Sequence, residues 1–176
     1  HVSGSDSHLN SKEILNKSGL SCVFHAHVGS GEIHIRPVLN LKQGRDVDLF
    51  REIAADTARL VKKYNGSLSG EHGDGRLRGE FIPLIIGEKN YNLLKEIKQV
   101  WDPGNIFNPG KIVDTPRMNT QLRYVTDKPT KEFDTVLDFT ASHGYIRAIE
   151  KCNGSGDCKA TSITGKGMCP SHQATL

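Results

Sequence analysis

Four histidines and one glutamate have side chains that can bind a metal ion or transfer a proton. His25, His27 and His34 fall within ten residues, and Glu71 and His72 follow as neighbours in a later glycine-rich loop. Two imidazoles and one carboxylate make an open site for a divalent cation such as zinc or manganese, with positions left for a substrate. The alternative is that these histidines are solvent-exposed or have their hydrogen bonds satisfied in the core. Spacing alone leaves both interpretations open.

The glycine-rich loop, SGEHGDGRLRGEF, spans 69–81 and shows neither helical nor strand periodicity. Its glycines permit positive φ and allow the backbone to approach a ligand closely. Glu71 and His72 can therefore diverge, one toward a metal and the other toward a substrate, where His72 is suited to act as a general base near neutral pH. The loop matches neither the lysine-bearing phosphate loop nor the dinucleotide fingerprint. A different phosphate-binding loop, or a plain turn, remains the alternative.

The elements that must position these residues follow from hydrophobic periodicity and turn residues. In chain order, the patterns predict a helix over 10–19, strands over 20–28 and 32–39, a helix over 46–64 stopped by Gly66, a strand over 67–69, a helix over 89–101 closed by Pro103, turns over 102–111 and a short helix before Cys152. His25 and His27 share one strand face. If the two strands pair as a hairpin, the short turn between them also brings His34 near His27. The predicted fold class is α+β, a mostly antiparallel sheet with helices on one face.

The whole chain sets further bounds. Its 176 residues suit one domain, or one domain plus an appendage. A net charge of +3 without a Lys/Arg-rich run argues against nucleic acid as a partner. The longest apolar run, FIPLII, is too short for a transmembrane segment. The opening HVSGSDSHLN is typical of an internal cut, so we expect the natural protein to extend further.

The four cysteines are unevenly placed along the chain. Cys22 lies alone in an apolar stretch and is interpreted as a buried apolar residue. Cys152, Cys158 and Cys169 fall within the last 25 residues. This distribution favours a metal or cluster site in a reducing compartment over a disulfide framework spread through the fold. Before the cluster, the polar segment 115–141 is predicted to be a linker or an extended arm.

Three ordered stretches resemble a known family. HAHVGSGEIHIRP, GSLSGEHGDGR and IFNPGKIVD are similar to the C-terminal region of FAD-linked D-2-hydroxy-acid dehydrogenases, the group that includes D-lactate dehydrogenase, D-2-hydroxyglutarate dehydrogenase and glycolate oxidase. The resemblance covers roughly 20–114. It implies that 1–114 is the C-terminal part of the substrate (cap) domain. FAD would then be bound mainly by a domain outside this chain, so we expect the chain alone to be inactive.

The resemblance also implies roles for single residues. His27, His34 and Glu71 correspond to the metal ligands, and His72 corresponds to the base that takes the hydroxyl proton as hydride passes to the flavin. Asn108 in NPGK matches an asparagine near the flavin. The implied reaction converts a D-2-hydroxy acid, D-2-hydroxyglutarate or D-lactate, to the 2-oxo acid.

This chain departs from the family pattern at two places near the histidines. Many relatives read Gly-Asp-Gly-Asn in the turn where this chain has VGSGE, and often carry Asn where this chain has Arg36. An arginine beside the metal can clamp a substrate carboxylate bidentately. The alternative for Arg36 is a surface salt bridge. His25 has no firm counterpart in the family and is interpreted as a structural or supporting residue.

The tail 142–176 is similar to the start of an iron–sulphur domain fused after the flavin domain in a large bacterial subgroup. Cys152, Cys158 and Cys169 are the expected ligands of a 4Fe–4S cluster. Ser155 stands where the second cysteine of the common run would fall, so the fourth ligand is missing, is not cysteine, or lies downstream. A Cys3His zinc site completed by His172 is the alternative. We expect the tail of this chain to be weakly packed and the cluster incomplete.

The resemblance implies an electron path from FAD through iron–sulphur to an acceptor such as a quinone or a carrier protein. The expected location is the cytoplasm, with peripheral association at the inner face of the membrane as a variant. A hypothesis from a different class is a metal-binding electron-transfer or interaction module without hydroxy-acid chemistry. Metal analysis and a flavin spectrum of the full-length protein separate the two.

Overall fold

The computed structural model describes residues 12–152 of the chain. The chain divides into two compact units, His1–Lys128 and Pro129–Leu176, each with its own internal contacts. All of the histidines and the glutamate with which the sequence analysis began belong to the first unit, so its fold determines their geometry.

A single β-hairpin carries three of the four histidines. Strand β1 (Cys22–His27) pairs antiparallel with strand β2 (Glu32–Pro37). A 3-10 turn (Val28–Ser30) followed by Gly31 at φ 66° connects them. The register places His25 opposite His34 and His27 opposite Glu32. Residues directly opposite each other in an antiparallel pair point to the same face, as do residues two apart on one strand. All four side chains therefore lie on one face, and the predicted hairpin is confirmed.

Helices make up most of the remaining regular structure of the first unit. They are α1 (12–17 within the described residues), α2 (Gly44–Lys63), α3 (Ile82–Ile86) and α4 (Glu88–Trp101). The fold class, α+β with an antiparallel sheet, is therefore confirmed. The predicted start of the first helix, at residue 10, lies outside the described residues.

Helix α2 packs against the hydrophobic core of the first unit. Ala58 is fully buried and packs with Phe81 and Met118. Met118 lies in the segment 115–128, so this stretch of irregular chain packs as part of the first unit. Where α2 ends, the residue at positive φ is Asn65 (φ 51°), and the amide of Gly66 donates to the carbonyl of Val61 over 2.9 Å. The left-handed residue that ends this helix is thus Asn65 and not the predicted Gly66.

The segment after α2 differs from the prediction. Residues 67–69 form no strand, so that prediction is wrong; β-structure requires a hydrogen-bonded ladder partner, and the described residues provide none for this segment. The apolar run Ile82–Ile86, for which the pattern predicted no element, forms helix α3 directly after a 3-10 turn over Gly79–Phe81. Pro83 in its first turn fits this position because proline needs no hydrogen bond from its nitrogen there.

Helix α4 agrees with the predicted bounds and is largely exposed. It ends at Trp101, two residues before Pro103, and turns follow. No residue of this helix is buried among the described residues, and Ile97 and Trp101 are 55% and 82% exposed. Both side chains therefore face solvent within the part of the chain that the structure describes.

The second unit is irregular up to Phe139. A 3-10 turn (Thr140–Ser142) and helix α5 (Tyr145–Glu150) follow, in agreement with the short helix predicted before Cys152. The Tyr145 ring contacts those of Phe139 and Phe133, with centroids 5.2 and 6.2 Å apart. Across residues 12–152, none of the helices has both the length and the apolar content to cross a bilayer.

Candidate functional site

Three predicted metal ligands from different parts of the sequence lie together: the two histidines approach one carboxylate oxygen of the glutamate. His27 ends β1, His34 lies in β2, and Glu71 lies in the glycine-rich loop. The Nε2 atoms of His27 and His34 each lie 3.5 Å from Oε1 of Glu71. The two imidazole rings pack edge to face with centroids 5.2 Å apart. The hairpin and the loop thus bring these residues together, although 37 positions separate His34 from Glu71 in the sequence.

His72, the predicted base, lies at the edge of this group. Its Nε2 atom is 3.0 Å from Oε1 of Glu71, and its ring centroid is 5.8 Å from that of His34. Its side chain is 64% exposed, whereas that of His34 is 16% exposed. His72 is therefore beside the carboxylate and open to an incoming molecule.

Glu32 is a member of the same group that the sequence did not single out. Its Oε1 lies 3.6 Å from Nε2 of His34, and its side chain is only 12% exposed. One donor atom each from His27, Glu32, His34 and Glu71 can be chosen so that all lie within 4.8 Å of one another. The signal that identifies Glu32 is its position two residues before His34 on one strand, which puts both side chains on one face. This set of four residues is called the His/Glu cluster below.

The His/Glu cluster fits a divalent cation of the transition series. Imidazole and carboxylate donors bind such ions at about 2.0–2.2 Å, so donors that share an ion lie up to about 4.4 Å apart. The cluster donors lie within 4.8 Å of one another, so they would draw together by about 0.4 Å or more around an ion. In the described part of the chain, the ion pairs of Glu32 and Glu71 are all with histidines. A divalent cation bound by these donors would balance the negative charge of the two neighbouring carboxylates.

A cavity of about 420 Å³ borders the cluster. It lies between β2, α2 and the glycine-rich loop, and its volume is typical of a small-molecule site. Its polar lining comes from Glu32, His34, Arg36, His72 and Arg78 together with serines, and its apolar lining comes largely from Phe50, Ile53, Leu60, Val61, Leu68 and Phe81. The structure therefore places Arg36, the predicted carboxylate clamp, on the same cavity as the cluster.

Ion pairs and hydrogen bonds fix the far end of the glycine-rich loop. Arg51 of α2 donates from Nε to Oε1 of Glu80 over 2.8 Å and makes a second contact through Nη2. The amide of Met118 donates to the other oxygen of Glu80 over 2.9 Å. Arg76 donates to the carbonyls of Pro116 (3.0 Å), Arg117 (3.2 Å) and Thr120 (2.9 Å). Arg76 and Glu80 thus hold the loop in place.

The electrostatics of Glu80 follow from these contacts. Burial raises the pKa of this carboxyl, but the hydrogen bonds from Arg51 and from the amide of Met118, with the positive charge of Arg51, more than offset burial. The net pKa of Glu80 lies below its usual value. The carboxylate is therefore ionised in the folded protein at neutral pH, and it links the loop to α2 and to the segment that contains Met118.

Asn108 lies in a turn outside the cavity lining. Asp102 organises this turn by accepting from the amides of Ile106 (2.8 Å) and Phe107 (2.9 Å). The hydrogen bond from Lys98 is the main cause that holds the pKa of Asp102 below its usual range. Asn108 itself is exposed with φ 47°, and it is not among the residues that line the cavity.

The remaining predicted residues lie apart from the cluster or outside the described chain. His25 is exposed and does not belong to the cluster, although it lies opposite His34. Cys22 is half-buried, and burial raises the pKa of its thiol. Cys152 is exposed after α5. Cys158, Cys169 and His172 lie outside the described residues.

Comparison with known proteins places this geometry in context. Residues 6–112 match the family model of the C-terminal domain of FAD linked oxidases. The chain is 33% identical over 164 residues to D-2-hydroxyglutarate dehydrogenase of Escherichia coli (strain K12) and 36% identical over 166 residues to the enzyme of that name from Pseudomonas putida. Each of these alignments covers 93% of this chain and 16% of the relative. A D-lactate dehydrogenase of Archaeoglobus fulgidus is 31% identical over 103 residues, 58% of this chain and 22% of that relative.

Proposed function

Because the chain belongs to the family of FAD-linked oxidases, through its C-terminal domain, we propose that it is a segment of a flavoprotein that oxidises a D-2-hydroxy acid to the 2-oxo acid. In this proposal 1–114 forms part of the substrate (cap) domain, and FAD is bound mainly by residues outside the chain. The chain spans 16% of the length of the Escherichia coli and Pseudomonas putida D-2-hydroxyglutarate dehydrogenases, which is consistent with a segment of a larger enzyme.

One observation carries the proposal: His27 and His34 both approach Oε1 of Glu71 at 3.5 Å, and His72 lies 3.0 Å from the same oxygen. A divalent cation held by His27, His34 and Glu71, zinc or manganese by donor type, would supply a Lewis acid that makes the substrate hydroxyl more acidic. The adjoining cavity of about 420 Å³ gives a small hydroxy acid a place to bind beside these residues.

The proposed proton acceptor is the imidazole of His72. The hydroxyl proton would pass to the His72 imidazole as the C2–O bond becomes a carbonyl, and a bound flavin would supply the acceptor for the hydride that leaves C2. The hydroxy acid would thus lose one proton and one hydride, which yields the 2-oxo acid. An imidazole suits this role because its ordinary pKa is near neutral pH. The exposure of His72 on the cavity side leaves room for the substrate.

Two arginines on the cavity favour a dicarboxylate over a monocarboxylate substrate. Arg36 and Arg78 both line the cavity, and each guanidinium can bind a carboxylate through a planar pair of N–H groups. We propose that Arg36 binds one carboxylate and that Arg78, whose Nη1 donates to the carbonyl of Gly73 over 3.0 Å, lies near the other. On this basis D-2-hydroxyglutarate suits the cavity better than D-lactate.

The proposal extends to the electron path after the flavin. Cys152, exposed at the end of α5, with Cys158 and Cys169 downstream, would begin an iron–sulphur domain that passes electrons to a quinone or carrier protein. The Cys3His zinc site completed by His172 is the competing assignment for the same cysteines.

Anaerobic flavin reduction tests the proposed function. The flavoprotein that contains this chain is mixed with the D and L forms of 2-hydroxyglutarate and lactate, and bleaching of the oxidised flavin absorbance is followed. We expect rapid bleaching by D-2-hydroxyglutarate, slower bleaching by D-lactate, and loss of the rapid phase after chelation. Glu71→Gln should behave like the chelated protein, while Glu96→Gln, an exposed position on α4, should not. A bound flavin that no 2-hydroxy acid reduces would leave the alternative of an electron-transfer or interaction module.

A further inference from the structure

Glu32 has the position of a metal ligand rather than that of a surface carboxylate. It closes the hairpin opposite His27, lies on the same strand face as His34, and is 12% exposed. Its Oε1 is 3.6 Å from Nε2 of His34, nearly the same as the 3.5 Å from that atom to Oε1 of Glu71. Within the described residues, its ionic contact is with an imidazole and not with a lysine or arginine.

We propose that Glu32 is a fourth protein ligand of the cation at the His/Glu cluster, an inference that rests on the metal site of the proposed function. The ligands would then be two neutral imidazoles and two carboxylates, whose negative charges would together balance a divalent ion. Zinc with four protein donors forms a closed tetrahedral site. Ions that take six donors and favour oxygen, such as Mn²⁺, keep two positions free with the same four donors. Glu32 would therefore shift the preference of the working site from zinc toward manganese.

The contact between Glu32 and Gly70 supports this assignment. A Cβ atom at Gly70 would lie 2.3 Å from Cδ of Glu32 and 2.6 Å from each of its carboxylate oxygens. Gly70 has no positive φ that would otherwise require glycine. The glycine immediately before Glu71 therefore makes room for the Glu32 carboxylate, so that both carboxylates face the same imidazole.

Metal titration of the flavoprotein that contains this chain provides the first test. The dissociation constants of Mn²⁺ and Zn²⁺ are measured by calorimetry for the parent protein, Glu32→Gln, Glu71→Gln and the control Glu96→Gln. Loss of a supporting partner of a ligand typically weakens metal binding about 10- to 100-fold. We expect Glu32→Gln to weaken Mn²⁺ binding by about 100-fold or more and to weaken Zn²⁺ binding by a smaller factor. Glu96→Gln should change neither dissociation constant.

The number of water molecules on bound Mn²⁺ separates a direct ligand from a supporting residue. Proton relaxation of water in the Mn²⁺-loaded protein reports this number. Glu32→Ala should add one exchanging water relative to the parent protein, because it vacates one position. An unchanged water number with weaker binding would overturn the assignment and make Glu32 a partner of His34 only.

A second variant perturbs Glu32 without altering any ligand. Gly70→Ala should displace the Glu32 carboxylate and reproduce the loss of Mn²⁺ affinity, while Gly29→Ala, where an added Cβ meets nothing within 4 Å, should not. One outcome would refute the fourth ligand and leave the proposed function standing. In that outcome Glu32→Gln and Gly70→Ala keep the parent Mn²⁺ affinity, whereas Glu71→Gln loses it. A parent protein that binds neither ion would instead refute the metal site itself.

Discussion

Arg51 of α2 and Glu80 at the end of the glycine-rich loop form an ion pair that ties the loop to the core. The Nε atom of Arg51 donates to Oε1 of Glu80 over 2.8 Å, and the side chains are 33% and 13% exposed. Because the same loop carries Glu71 and His72, this pair supports the cluster without touching it. The structure therefore assigns a positioning role to a charged residue that lies nine positions after Glu71.

Replacing Glu80 with Gln should loosen the loop. The substitution removes the charge that partners Arg51 in a half-buried setting, which typically costs about 1–3 kcal/mol. Hydrogen exchange of the amides in 69–81 should therefore speed up by about 5- to 150-fold. Glu96→Gln, exposed on α4, is the control and should leave these amides unchanged. Equal protection in both variants would show that the Arg51–Glu80 pair does not hold the loop.

The same carboxylate predicts an acid dependence of stability. Burial raises the pKa of Glu80, but the bonds from Arg51 and Met118 outweigh it, so the folded pKa lies below the ordinary value of 4.5. A group with a lowered folded pKa contributes stability above its unfolded pKa and loses it as the pH falls through the folded pKa. The urea concentration at the unfolding midpoint should therefore decrease as the pH is lowered below about 4.5. It should fall less steeply in Glu80→Gln, and parallel curves for the two proteins would contradict the lowered pKa.

Replacing His72 with Asn should slow flavin reduction without loss of FAD. Removal of a general base typically costs about 10²- to 10⁴-fold in rate. The measurement is stopped-flow reduction of the flavin by D-2-hydroxyglutarate in the flavoprotein that contains this chain. His25→Asn is a matched control, because His25 is exposed on the same strand face as His27 but lies outside the cluster. Similar rates in both variants would remove His72 from the proton transfer.

Replacing Arg36 with Lys should chiefly raise the apparent KM for the hydroxy acid. Lysine keeps the charge but cannot reproduce the planar pair of donors that binds a carboxylate bidentately. Steady-state kinetics with D-2-hydroxyglutarate measure the effect, and Arg59→Lys, an exposed position on α2, serves as the control. An unchanged KM would return Arg36 to the role of a surface charge.

The cysteine tail gives a spectroscopic prediction. Anaerobic reconstitution with iron and sulphide, on protein that continues beyond Leu176, should produce the broad visible absorption of an iron–sulphur centre. Cys152→Ser should reduce that absorption, and Cys22→Ser, half-buried in the hairpin, should not. Stoichiometric zinc without iron uptake would favour the Cys3His site with His172.

Local sequence determined the elements and most of the candidate ligands. Alternating and helical periodicities fix the hairpin, α2 and α4 to within a few residues, because side-chain spacing reflects which face of an element is apolar. Residue type and the resemblance to a family single out His27, His34, Glu71 and His72 as chemistry-bearing.

Tertiary structure decided what depends on partners from distant parts of the chain. The register that places Glu32 opposite His27 brings it into the cluster, and the space for its carboxylate comes from Gly70, 38 positions away. Residues 67–69 alternate polar and apolar side chains but have no ladder partner among the described residues, so pairing and not alternation determines their state. Local spacing follows directly from the order of residues, whereas contacts across tens of residues exist only once the chain has packed.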